Sequence, residues 1–168
     1  MKLIIAFIAI ILLTSCWPKS VSFVDGNLPD EWKFFSLSTL KSNAPNAPIS
    51  YSAILSDAIK DGIQNGSRLK LASDPKDAQI EIDGAITSYS ITPIALVQGD
   101  NATQNRLTIS VKFNFYINAP EEDEMTLVST RFFDYDASAD LSSQESVFLD
   151  EINAQIVQDV TNKLLSNW

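Results

Sequence analysis

From Asn105 to Asn118 the chain alternates without a break. Leu107, Ile109, Val111, Phe113, Phe115 and Ile117 share one parity, and Thr108, Ser110, Lys112, Asn114 and Tyr116 share the other. A period of two with one wet face predicts a half-buried strand, most simply an antiparallel one. Gln79 to Ser90 repeats the pattern, with Ile80, Ile82 and Ile86 on one side and Gln79, Glu81 and Asp83 on the other. Gly84 removes a side chain in its middle, which predicts a bulge or the close approach of a neighbour. Met125 to Tyr135 reads as the hairpin partner of the 105–118 strand. It carries apolar groups on both faces, Leu127, Phe133 and Tyr135 against Val128 and Phe132, which suits a central strand or one covered at one end. Trp32 to Leu40 predicts a less regular strand. Arg68 to Ala72 reads as a short strand or as the lead-in to the turn at Ser73–Asp77, and Ile91 to Thr103, with Pro93 and Gly99, as a loop.

Two segments change period. Tyr51, Ile54, Leu55, Ala58, Ile59 and Ile63 recur at three and four and predict a helix, opened by Ser50 and stopped at Asn65-Gly66 by a left-handed C-cap. Phe148, Ile152, Ile156, Val160 and Leu164 recur every four residues in a longer helix of roughly 22 residues. Ser142 and Glu145 have the spacing of a capping box. One-faced helices and one-faced strands bury each other best as two layers. The expected fold is therefore α+β, a two-layer sandwich with two helices on one face of a mostly antiparallel sheet of four or five strands. The other sheet face, with Lys112, Asn114 and Tyr116, is wet or meets a partner.

The first residues describe an export signal. Lys2 is followed by an apolar run from Leu3 to Leu13 and then Thr14-Ser15-Cys16. The run is far short of the roughly 20 residues that span a bilayer. Leu13-Thr14-Ser15-Cys16 resembles a bacterial lipobox, so residues 1–15 are expected to be a lipoprotein signal, Cys16 an acylated anchor, residues 16–22 a tether and residues 23–168 one domain. Position 17 is Trp rather than Asp and no acidic cluster follows Cys16, which favours an outer-membrane location facing the periplasm. Cys16 is the only Cys and the chain has no His. That leaves no disulfide framework, no soft or imidazole metal site and none of the common acid–base or thiol designs. Asp74 with Asp77, and Asp134 with Asp136 on one side of a strand, could be named as carboxylate pairs, but with 21 acidic residues such pairs arise freely and read as solvated surface. Glu121 to Glu124 lacks the alternating ligand spacing of a calcium loop. No cofactor, metal or catalytic residue is expected. Loss of Lys2 takes the formal charge from -9 to -10, which argues against nucleic acid as a partner.

Several stretches resemble the LptE (RlpB-like) family of lipopolysaccharide-assembly lipoproteins in its Bacteroidota form. They are Ser22-Phe23 with Gly26 and Leu28-Pro29, then Gly84 with Ile86, Tyr89 and Thr92-Pro93. Most specific is Asn105-Arg106-Leu107-Thr108-Ile109 leading into Val111, and Phe132 to Asp136 and the closing Trp168 also fit. The resemblance spans nearly all of the mature chain. It implies a small sheet carrying two helices, an anchor in the inner leaflet of the outer membrane, and a non-enzymatic role. The partner would be an LptD-like β-barrel, whose lumen the protein plugs, with lipopolysaccharide as a second partner. Family members elsewhere are thought to touch lipopolysaccharide phosphates through basic residues, whereas this domain is acidic. Arg106 is the best-placed cation by motif, its alternative being a salt bridge at a strand edge. The residues themselves leave two other readings open, a general envelope adaptor and a carrier of a hydrophobic ligand.

Overall fold

The computed structural model describes residues 28–96 and 102–165. The expected signal, the expected anchor at Cys16, the expected tether, Ser22-Phe23, Gly26 and Trp168 lie outside the described residues.

The alternating segments become three long strands, β4 (Ile80–Leu96), β5 (Ala102–Ile117) and β6 (Asp123–Asp136), paired antiparallel in chain order. The six apolar residues of β5 all face inward and are essentially inaccessible, from Leu107 at 0% to Ile117 at 3%. Three short strands, β1 (Phe34–Leu37), β2 (Lys41–Ser42) and β3 (Lys70–Leu71), complete a six-stranded sheet. Its order is β3-β1-β4-β5-β6, with β2 beside β4. The short strands pair in parallel, because α1 (Tyr51–Gly66) carries the chain across the sheet before β3. With α2 (Leu141–Leu165) the helices form the second layer over one contiguous core. The expected two-layer α+β sandwich is the observed one, with a mixed rather than mostly antiparallel set of pairings at its β1–β3 side.

Several local expectations are corrected. Residues 91–96 and 102–103 are strand rather than loop. Pro93 fits there because β1 and β2 reach only as far as Ile86, so this half of β4 is an edge, where a missing N–H is tolerated. β6 is the last strand of the sheet, not a central one; Val128 and Phe132 remain exposed on its outer face. Trp32 precedes β1 instead of joining it, and its indole Nε1 donates to Ala119 O at 2.6 Å across the end of the core. Ile54 is half exposed, unlike its stripe mates Leu55 and Ile59.

Glycines serve packing. A Cβ at Gly84 would lie 2.7 Å from Lys112 O and 2.9 Å from a Leu40 methyl, so close approach is what the residue permits. The register slip lies next to it, between Ile86 and Ser88. Gly66 is the last residue of α1 and has no left-handed backbone; Ser67 follows in extended conformation. Gly62 and Gly66 instead let α1 approach Val157 and Thr161 of α2. Ser50 stands at the N-cap but its side chain makes no capping bond. Ser142's side chain lies outside the described residues, and Glu145 Oε1 accepts from Tyr89 Oη at 2.5 Å.

Candidate functional site

Because β5 alternates strictly and its odd residues are consumed by the core, its even residues must line the opposite face. No element of the described residues covers that face. The register with β4 and β6 then sets out its rows. Tyr116 lies between Glu81 and Glu124, Asn114 between Asp83 and Thr126, and Lys112 between Ala85 and Val128. Ser110 lies between Ser88 and Thr130, Thr108 between Ser90 and Phe132, and Arg106 between Thr92 and Asp134. The four residues Arg106, Lys112, Asn114 and Tyr116 thus share one open surface, at opposite ends of one strand.

The rows differ in how far they are satisfied. Arg106 pairs with Asp134 through both ends of the carboxylate, Nε–Oδ1 at 2.6 Å and Nη2–Oδ2 at 2.8 Å. Its guanidinium also lies 3.8 Å from the centroid of the Phe132 ring. The Arg106 hydrogen bonds hold the Asp134 carboxyl below its usual range. Arg106 is therefore engaged with its own sheet. Ser110 and Thr130 hydroxyls meet at 2.9 Å. Lys112 is exposed and, among the described residues, forms no ion pair. With Asn114, Asp83, Lys41 and Asn43 it lines a depression of about 200 Å³.

Lys41 was not legible as a member of this face. A two-residue strand has no periodicity, and only its parallel register with Ala85 puts Lys41 in the same row as Lys112, on the other side of Ala85. Asp134 and Asp136 do lie on one side of β6, as alternation requires, but serve local bonds, to Arg106 and to Ser138. Among the described residues no group of three or more His, Cys, Asp or Glu could hold a metal ion. The arrangement offers hydrogen bonding over a broad wet surface, with Lys41, Lys112 and the ion-paired Arg106 amid carboxylates and hydroxyls, and two exposed apolar side chains near its β6 margin.

On the helix side, polar groups of β6 and α2 bind one another. Ser129 and Arg131 are on the core-facing parity of β6, and both bind Asp159 of α2, Ser129 Oγ at 2.5 Å and Arg131 Nε at 2.8 Å. Arg131 Nη2 reaches the other carboxylate oxygen. Burial pushes the Asp159 carboxyl up, and these hydrogen bonds outweigh burial and leave it below its usual range. Sequence reading passed over this clamp, although a lone Arg on a core-facing parity was the signal that a partner had to exist.

Comparison with known proteins gives the chain its family. Solved structures with the same fold include the uncharacterized lipoprotein B from Nitrosomonas europaea, at 14% identity, TM-score 0.54, covering 83% of this chain and 84% of that one. Rare lipoprotein B from Shewanella oneidensis is similar at 14% identity and TM-score 0.55, over 80% and 95% of the two chains. A hypothetical protein from Chlamydia trachomatis matches at 10% identity and TM-score 0.54, over 81% and 99%. At such identities the likeness is one of fold alone. No curated protein matches the sequence. The family model described as LptE, lipopolysaccharide-assembly, matches residues 37–164, from β1 to the last turn of α2. The chain therefore belongs to the LptE lipopolysaccharide-assembly family.

Proposed function

We propose that this chain is a lipid-anchored outer-membrane protein of the Bacteroidota type, facing the periplasm. In this reading it fills the lumen of an LptD-type β-barrel and assists that barrel in inserting lipopolysaccharide. The observation that carries the reading is the open face of β4, β5 and β6, a polar surface with a fixed register that the protein's own helices leave uncovered. The inward side chains of an outer-membrane barrel are polar as well, so such a face can exchange water for hydrogen bonds over a wide area. Tyr116 is the anchor in this surface, since an aromatic ring with a polar tip suits a partly hydrated contact.

Lipopolysaccharide contact is the secondary element of the proposal. Arg106 is held by Asp134, so Lys112 and Lys41 are the cations of this face that remain to meet phosphate. The packed interior argues against a carrier of hydrophobic ligands: Trp32, Phe35, Tyr51, Phe113 and Phe115 fill the space between the layers. None of the described helices is long and apolar enough to cross a membrane, so attachment in this proposal depends on Cys16. Two or three acyl chains, at about 0.8 kcal/mol per buried methylene, form a stable anchor.

A photoreactive residue at position 114 tests the barrel reading in cells. Adducts to one large outer-membrane barrel are expected. Adducts only to water-soluble proteins, or none, would overturn it and favour the adaptor. Replacing Lys112, Asn114 and Tyr116 together with Glu should leave the domain folded but unable to co-purify with its barrel, and Lys112→Glu with Tyr116→Glu alone should abolish the adduct from position 114. Cys16→Ser should yield an unprocessed, unlabelled precursor in a lipid-labelling assay.

A further inference from the structure

The long edges of this sheet are built differently. The free half of β4 carries Pro93 and irregular register at Ile86/Ser88 and Pro93/Ala95, features that disfavour a new strand alongside it. At the far end of the order, β3 has two residues. β6 is 14 residues long, pairs with β5 through an unbroken register, and contains neither Pro nor Gly. Among the described residues no strand pairs with its outer side. Its mid-strand charge, Arg131, points to the helix layer and is neutralised by Asp159, so it does not obstruct the edge. A straight edge without such protection is a template for an added strand.

We propose that the β6 edge is a strand-addition site for an extended segment of another polypeptide. That segment would have apolar or β-branched residues in its middle and basic residues at its ends. The middle of β6 presents Val128, 64% exposed, and Phe132, 48% exposed, on the open face beside Thr126 and Thr130. These suit alternate apolar side chains on the incoming strand. Asp123 and Glu124 stand at one end and Asp136 at the other, so a strand with cations at both ends is complementary in either direction.

The same charges select against a second copy. Two β6 edges can continue one sheet only in registers that keep their open faces on the same side. In either of the two such antiparallel registers of greatest overlap, Glu124 falls opposite Asp134 or Asp136 of the other copy, at both ends. Two chains of formal charge -9 also repel at long range. This inference does not depend on the barrel reading; any envelope protein with such a segment would serve.

Amide hydrogen exchange on the full-length protein in mild-detergent micelles tests it. The probe is an eight-residue peptide of alternating Val and Thr with Lys at each end. In the protein alone, every second amide from Thr126 to Asp134, those pointing outward, should exchange rapidly. The peptide should slow these amides about tenfold or more, while the same peptide with Glu ends or a central Pro has no effect. In the Glu124→Lys, Asp136→Lys double variant, checked for an unchanged thermal melt, the preference should reverse to the Glu-ended peptide. Absence of protection by any peptide, or equal protection by both charge forms, would overturn the proposal. So would outward amides already slow in dilute protein, meaning that its own chain covers the edge. Slowing that appears only as protein concentration rises would assign the edge to a second copy and overturn it equally.

Discussion

The hydroxyl of Tyr51, at the start of α1, donates to Asn153 Oδ1 in the middle of α2 at 2.8 Å, across 102 positions of sequence. Both residues are buried, and the Tyr51 ring meets Tyr89 of β4 edge-on, with centroids 6.2 Å apart. The bond ties the helices to each other at a point where the sheet closes over them. Tyr51→Phe keeps the ring and leaves the Asn153 oxygen short of a donor in a dry site. The expected loss is about 1–3 kcal/mol, measured by urea unfolding. Adding Asn153→Leu should recover part of it, since both polar ends are then gone. Burial raises the Tyr51 hydroxyl, and burial with the Glu145 hydrogen bond raises that of Tyr89, well above the usual tyrosine range. Their contribution is therefore complete below an unfolded pKa of about 10 and lost as pH rises beyond it. Tyr51→Phe should flatten the alkaline limb of the stability profile.

The clamp on Asp159 has the opposite sign. Its folded pKa is depressed, so its contribution is present above the unfolded value of about 4 and disappears as pH falls through the folded one. Asp159→Ala leaves the buried Ser129 hydroxyl without its acceptor and frees Arg131, which is 40% exposed and partly screened by water. A neutral-pH loss of about 1–2 kcal/mol is expected, with a shallower decline than in the parent as pH falls below the unfolded value of about 4. Equal acid limbs for the two proteins would show that the clamp is not coupled to folding.

Gly62 tests the contact between the helices. A methyl there would overlap Val157, a β-branched side chain with little rotamer freedom in a helix. Overpacking costs about 1–3 kcal/mol and outweighs the helix-propensity gain of about 1 kcal/mol. Gly62→Ala should therefore lower the melting temperature, and Val157→Ala in the same chain should restore part of it. If Gly62→Ala alone stabilises, the helices do not approach as described.

Ile156 is completely buried at mid-stripe on α2, while Gln158, two positions on, is exposed. Ile156→Ala should cost about 2–5 kcal/mol and Gln158→Ala less than about 0.5 kcal/mol. Coincident urea midpoints would mean that α2 is not docked on the sheet through this face.

What the sequence determined by itself is everything carried by periodicity. The inward set of β5 and the α2 stripe from Phe148 to Leu164 were readable because each position's burial follows from its neighbours at a fixed spacing. The same alternation put Lys112, Asn114 and Tyr116 on the open face and required something unusual at Gly84. The 105–109 block was readable as a local string. Tertiary structure decided what depends on residues remote in the chain. Nothing local distinguishes a two-residue parallel strand from a loop, so β2, β3 and the position of Lys41 emerged only with their partners. Pro93 reads as a breaker until β4 is seen to be an edge at that point, and Val128 and Phe132 read as a second core face until they are seen to lie with Lys112 and Thr108 on the side of the sheet away from the helices. Gly66 resembles a helix stop, but its role is set by Thr161 of another helix. Whether Arg106 is a free cation likewise depended on Asp134, 28 residues away, because an ion pair is formed by geometry that no single segment contains.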